Sequence, residues 1–208
     1  MSVLDALYKQ QCSLASIQEM LRHRHIPTHM HCERVVLMAD AFAKACVLPP
    51  DEHAILLYSA MLHDIGKIGV PDSILMYEGA LDDAQDEVMQ MHSAIGETII
   101  RMMALEHGDT IAAHVRHHHE HYDGHGYPDG LAGEAIPRIA RMLTILDSYD
   151  ALREERPYRV ALHHEEVVAI MQSESGIKHD PALLKLFLEL DEIKTIGDSH
   201  SDGKTDMR

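Results

Sequence analysis

Apolar residues recur at three- and four-residue spacing along nearly the whole chain, and no run alternates with a period of two. That pattern leaves no room for a sheet. It predicts an all-α fold, a bundle of about seven to eight helices. Val3, Leu4, Leu7, Leu14, Ile17 and Leu21 fit one broken helix or two short ones over 3–22. Val35, Val36, Met38, Ala39, Phe42, Ala43 and Cys46 share one face of a helix over 31–47, which Pro49 and Pro50 end and after which Asp51 can cap the next. Residues 52–64 are apolar enough for a buried helix, and the stretch 66–71 (GKIGVP) breaks the pattern. Asp82 and Gln85 resemble a capping box ahead of a helix to about His92, and another helix runs from Ser93 to Met103. Asp109 caps a helix through His119, and the stretch 123–137 (DGHGYPDGLAGEAIP) is a long Gly- and Pro-rich loop. Helices follow over 138–152, 164–171 and 181–190, with Pro157 interrupting the chain between the first two.

A chain of 208 residues suits one main domain. It divides into an N-terminal helical segment, 1–23, a principal domain, 24–192, and a polar tail, 193–208, read as disordered. No apolar run reaches the ~18–20 residues of a membrane-spanning helix. Asp5 lies where a secretion signal would be basic and then apolar, so the expected location is cytoplasmic, with no membrane partner. Lys and Arg total 18 against 34 Asp and Glu, a net charge of −16, which excludes a general binder of long nucleic acid. Cys12, Cys32 and Cys46 have no CxxC spacing and read as thiols in a reducing compartment.

The count of 18 histidines is high. His63 and Asp64 are adjacent at the end of an apolar helix, where both can reach one pocket. An unpaired Asp64 there would be costly, and either a metal ion or Lys67 would offset it. His118 and His119 end another helix, and Asp147 interrupts an apolar helical face, where a buried salt bridge explains it as well as a metal does. His23, His25, His53, His107, His114, His121, His163, His164 and His200 read as caps or solvated side chains, and the run 23–31 (HRHIPTHMH) as a fortuitous chelating cluster.

Together these pieces resemble a known family. The run 63–71 (HDIGKIGVP) is similar to the signature of the HD superfamily of metal-dependent phosphohydrolases. His118-His119-Glu120, then 123–128 (DGHGYP), Gly130-Leu131, Gly133, Ile136-Pro137, Arg141, Asp147, 150–152 (DAL) and 156–159 (RPYR) resemble its HD-GYP subfamily. The likeness spans about 31–181. It implies an HD-domain helical bundle with a GYP loop, and hydrolysis of a cyclic dinucleotide, chiefly cyclic di-GMP. Carried over by position, it assigns His31, His63, Asp64, His92, His118, His119 and Asp147 as metal ligands. Asp64 would bridge two ions, with His31, His63 and Asp147 on one and His92, His118 and His119 on the other. Some members bind a third metal through a glutamate four residues before the first histidine. That position is Pro27 here, so two ions are expected.

Two metals ~3.5–4 Å apart can share one hydroxide, lower its pKa and aim it in line at phosphorus. Mixed His and carboxylate ligation suits Fe or Mn, with other divalent metals possible. Asp64 and Lys67 form the expected catalytic pair, with Lys67 reaching the scissile phosphate. The resemblance places Arg156 and Arg159 on the substrate phosphates, where arginine can donate two parallel hydrogen bonds. Tyr127, between Gly126 and Pro128, either presents a ring to a base or packs the loop. Three other readings compete with hydrolysis. One is a catalytically weak module that binds the dinucleotide or a signalling protein through the GYP loop, another a di-iron oxygenase, and the last a metal-storage protein. A homodimer is compatible with each. Such domains often follow a sensory or receiver domain. Before residue 31 there is room for a short helical segment, and the chain reads equally as free-standing or as part of a longer one.

Overall fold

The computed structural model describes residues 3–154 and 161–196, with side chains described from Leu14 onward. The helices are α1 (Val3–Arg24), α2 (Ile26–Ala45), α3 (Pro50–Leu62), α4 (Asp72–Leu75), α5 (Asp83–Gln90), α6 (His92–Met102), α7 (Gly108–His117), α8 (Arg138–Arg153), α9 (His164–Ser173), α10 (Pro181–Leu188) and α11 (Ile193–Ile196). A 3-10 turn, Ile65–Gly69, follows α3, and a second, Gly133–Ala135, lies in the long loop. No β-strand occurs among the described residues. The all-α expectation holds, and the single turns α4 and α11 lengthen the list of helices.

Element boundaries differ from the sequence reading for local reasons. α1 is one continuous helix; in its described second half Gln18 Nε2 donates to Met61 O at 2.8 Å, and Leu14 and Leu21 enter the core. α2 starts five residues earlier than expected. Pro27 sits in its first turn, where a missing N–H costs nothing, and the His25 side chain accepts from Thr28 N. Asp51 and Asp109 fall in the first turns of α3 and α7 rather than at their N-caps, still well placed for the helix dipole. Asp82 and Gln85 do form the capping box. α11 falls within the segment read as tail and buries Ile193. Pro157 and 197–208 lie outside the described residues. His114, read as a cap or solvated side chain, is buried between Ile111 and Val115 and lies 3.3 Å from Ser59 Oγ. Burial, with His117 nearby, pushes its pKa down to about 4.

The core is built on α2, whose Val35, Ala39 and Phe42 are fully buried, packed against α3 and α8. Phe187 of α10 makes edge contacts with Phe42 and Tyr149, both at 5.3 Å between ring centroids. On the other side of α3, α6 packs against α7 and the first 3-10 turn. That contact depends on glycine. A Cβ on Gly66 would sit 1.8 Å from His92 O, and one on Gly96 would sit 2.9 Å from Val115 Cγ1. The backbones touch directly, so the start of α6 is drawn onto the end of α3.

We expect Gly66→Ala to lower stability by about 1–3 kcal/mol, since backbone cannot yield as a side chain does. Gly133→Ala strains only a positive φ in open space and should cost less. Urea unfolding of the two variants checks the order, and equal losses would refute the packing argument.

Candidate metal centre

Five helices bring seven side chains to one point. His31 comes from the second turn of α2, and His63 follows the last residue of α3. Asp64 then leaves helical geometry at φ −98°, ψ 6°, so the two neighbours converge as the sequence reading required. His92 opens α6, His118 and His119 follow α7, and Asp147 lies on α8. His31, His63 and Asp64 present ligand atoms within 4.8 Å of one another, and so do His92, His118 and His119. Asp64 lies between the two groups: its carboxylate is 3.7 Å from His63 Nε2, 3.9 Å from His31 Nε2 and 3.5 Å from His92 Nε2. Asp147 is 3.1 Å from His31 Nε2 and 3.9 Å from His119 Nδ1.

The orientation of the rings follows from helix ends. The last carbonyls of a helix have no intrahelical partner. His63 Nδ1 donates to Ala60 O at 2.8 Å, His92 Nδ1 to Met89 O at 2.7 Å, and His118 Nδ1 to Val115 O at 2.6 Å. A carbonyl only accepts, so the proton of each neutral ring is on Nδ1 and the Nε2 lone pair faces inward. Burial lowers the pKa of His63 and His92, and burial with His63 and His92 nearby takes His118 to about 3. His92 Nε2 and His118 Nε2 are then two lone pairs 3.5 Å apart. Such an arrangement repels itself unless a cation lies between the donors. The donor set therefore fits metal ions, and His, Asp and open geometry suit divalent ones.

The protein supplies some positive charge itself. Lys67 Nζ, on the 3-10 turn, is 2.6 Å from Asp64 Oδ2. Burial pushes the Asp64 pKa up, but Lys67 and the surrounding imidazoles hold it well below the usual carboxylate range. At His31, burial opposes the charged ring, but hydrogen bonds to Asp147 and Asp150 outweigh it and lift the pKa to about 10.

Residues that sequence reasoning left without a role complete the centre. Asp150 Oδ2 is 2.7 Å from His31 Nδ1 and also receives the Arg34 guanidinium, with Nη2 at 2.7 Å. The signal was there: Arg34 is three residues after His31, and Asp150 three after Asp147, the spacing of one helix face. Thr144 Oγ1 donates to His118 O at 2.7 Å. Glu120, 1% exposed, accepts from Asp129 N at 2.7 Å and Leu131 N at 3.0 Å, and so fixes the long loop. In that loop Tyr127 stacks on His119, with ring centroids 4.8 Å apart, and its N–H donates to His119 O. A Cβ on Gly126 would lie 2.2 Å from His121 N, so the loop passes there as bare backbone. Arg156 and Arg159 lie outside the described residues. His117, Glu120 and Asp129 also cluster, but the Arg116 fork, at 2.7 Å on both oxygens, occupies the Asp129 carboxylate. That cluster anchors the loop.

A family model described as an HD domain matches residues 7–183. The chain is 35% identical over 192 residues to the cyclic di-GMP phosphodiesterase response regulator RpfG of Xanthomonas campestris pv. campestris, covering 89% of this chain and 50% of that protein. It is 36% identical over 207 residues to the 3'3'-cGAMP-specific phosphodiesterase 3 of Vibrio cholerae, covering 97% of this chain and 44% of that protein. The chain thus spans about half the length of these curated relatives. Among solved structures, the HD domain of Listeria monocytogenes phosphodiesterase PgpH in complex with cyclic-di-AMP superposes with a TM-score of 0.61 at 12% identity, covering 93% of this chain and 99% of that one. The V. cholerae cyclic GMP-AMP specific phosphodiesterase V-cGAP3 superposes with a TM-score of 0.59 at 17% identity, covering 90% and 52%. At these identities the likeness is one of fold.

Glu120→Ala leaves the amides of Asp129 and Leu131 without their acceptor. The expected cost is about 1–3 kcal/mol, with faster hydrogen exchange at those two amides. Unchanged exchange there would show that something else holds the loop.

Proposed function

The chain belongs to the HD domain family, and from that premise we propose that it hydrolyses a cyclic dinucleotide, chiefly cyclic di-GMP, to linear pGpG, GMP or both. The observation that carries this reading is the convergence of the buried His63 and His92 Nε2 lone pairs on the Asp64 carboxylate, with His118 Nε2 3.5 Å from His92 Nε2. His31, His63 and Asp147 would hold one divalent ion, His92, His118 and His119 a second, with Asp64 shared; Fe and Mn suit the donors best. When bound, such ions polarise phosphoryl oxygens and activate water for attack on a phosphodiester.

The chain's own residues do the rest. Lys67 holds a fixed ammonium beside Asp64, where a scissile phosphate would meet it. Arg156 and Arg159 are assigned to the phosphates by their place in the family motif. Tyr127 covers His119 with one ring face, so a base could stack only on the other. Among the described residues no helix is long and apolar enough to cross a membrane. The GYP loop, with His125 side chain 85% exposed, also supports a second role in docking a signalling protein.

The reading is tested with anaerobically purified protein supplied with Fe(II) or Mn(II), given cyclic di-GMP and cyclic GMP-AMP in parallel, with products separated by chromatography. Turnover should require metal, and Asp64→Ala should reduce it at least about 100-fold. Retained activity in that variant would sink the mechanism. Elemental analysis should find two ions per chain, and three tightly held ions would contradict the reading of Pro27.

A further inference from the structure

The ligands are not oriented in the same way. His63, His92 and His118 each borrow a carbonyl from the last turn of an adjoining helix, three residues back in sequence. Their orientation is set locally. His31 lies inside α2, where helix amides already take the neighbouring carbonyls. Its Nδ1 depends instead on Asp150, 119 residues away on α8. Asp150 is held by Arg34, whose Nε lies 2.8 Å from Oδ1 and whose Nη2 lies 2.7 Å from Oδ2. Arg34 Nη2 also reaches Glu154 Oε1 at 2.8 Å, near the end of α8. The Arg34 and Asp150 side chains are 11% and 5% exposed, so solvent screens this clasp little.

We infer that Arg34 is a positioning residue that acts through Asp150 to set His31, and that the ion on the His31 side is consequently the one whose affinity the protein can tune. The inference rests on the two-ion reading given above. A carboxylate on the far nitrogen of a ligating imidazole fixes its tautomer and raises its basicity, and losing it typically costs 10–100-fold in metal affinity. Removing Arg34 frees Asp150 to turn away from His31 and leaves a buried carboxylate short of its fixed partner. On the other side His92 and His118 keep their local restraints, and His119 keeps its stacking on Tyr127. Lysine at position 34 keeps the charge but cannot make the two-pronged contact.

The test is Mn(II) binding to the chelator-treated 208-residue chain, by equilibrium dialysis with elemental analysis. Circular dichroism confirms folding of each variant. Wild type should bind two ions. Arg34→Ala should keep one at wild-type affinity and weaken the other about 10–100-fold, with Arg34→Lys in between and Asp150→Asn weakening the same ion. Added to His31→Ala, Arg34→Ala should cost little more; added to His118→Ala, it should add its full effect. Two ions at unchanged affinity in Arg34→Ala would overturn the inference, as would equal weakening of both in a folded protein. Should Arg34→Ala fail to fold, Arg34→Lys and Asp150→Asn give the same reading. A wild type that binds no metal would overturn the two-ion reading itself, and this inference with it.

Discussion

Asp64 is an ionised carboxylate buried to 2% exposure among imidazoles and apolar helices. Taking such a group out of water costs several kcal/mol even after relaxation. The hydrogen bond it accepts comes from the charged Lys67 Nζ, and the surrounding imidazoles add to the field that keeps it ionised. This constraint explains much of the local architecture. α3 ends at Leu62, freeing Asp64 from the helical path, and the tight 3-10 turn brings Lys67 back within 2.6 Å. Gly66, the second residue of that turn, lets α6 come close enough to place His92 on the far oxygen of the same carboxylate.

Helix C-termini do a second job here. A helix end leaves acceptors unpaired, and buried unpaired acceptors are costly. At Ala60, Met89 and Val115 the fold gives that acceptor to an imidazole Nδ1. One hydrogen bond thereby satisfies a carbonyl, sets a tautomer and aims a lone pair. The arrangement is economical in sequence: a histidine directly after a helix end, or one residue further on, suffices.

Much of this was legible beforehand. The helical periodicity, the His63-Asp64 pair at a helix end and the ordered motif run all point to the right elements. What was not legible has physical reasons. His25 caps α2, one of the two roles read for it, but the early start also depended on Pro27 being harmless in a first turn, and a propensity argument sees only that proline breaks helices. The burial of His114 depended on Ser59 from another helix. Asp150 was visible as a motif letter, but its role and that of Arg34 appear only when α2 and α8 are side by side. Local spacing shows which residues share a face; it does not show what that face meets.

A chain of −16 is a poor partner for an anionic dinucleotide unless the local field opposes the global one. Asp64, Asp147 and Asp150 surround His31, and the fixed cations in contact with them among the described residues are Lys67 and Arg34. His31, held protonated by Asp147 and Asp150, is a third positive charge, so the protein groups alone roughly balance here and supply no excess positive charge for an anionic ligand. On the proposed reading, divalent ions make the local charge positive, and only then does the pocket favour phosphate. The acidic surface becomes an asset, because it repels polyanions while the buried centre, little screened by salt, retains its attraction for a small one.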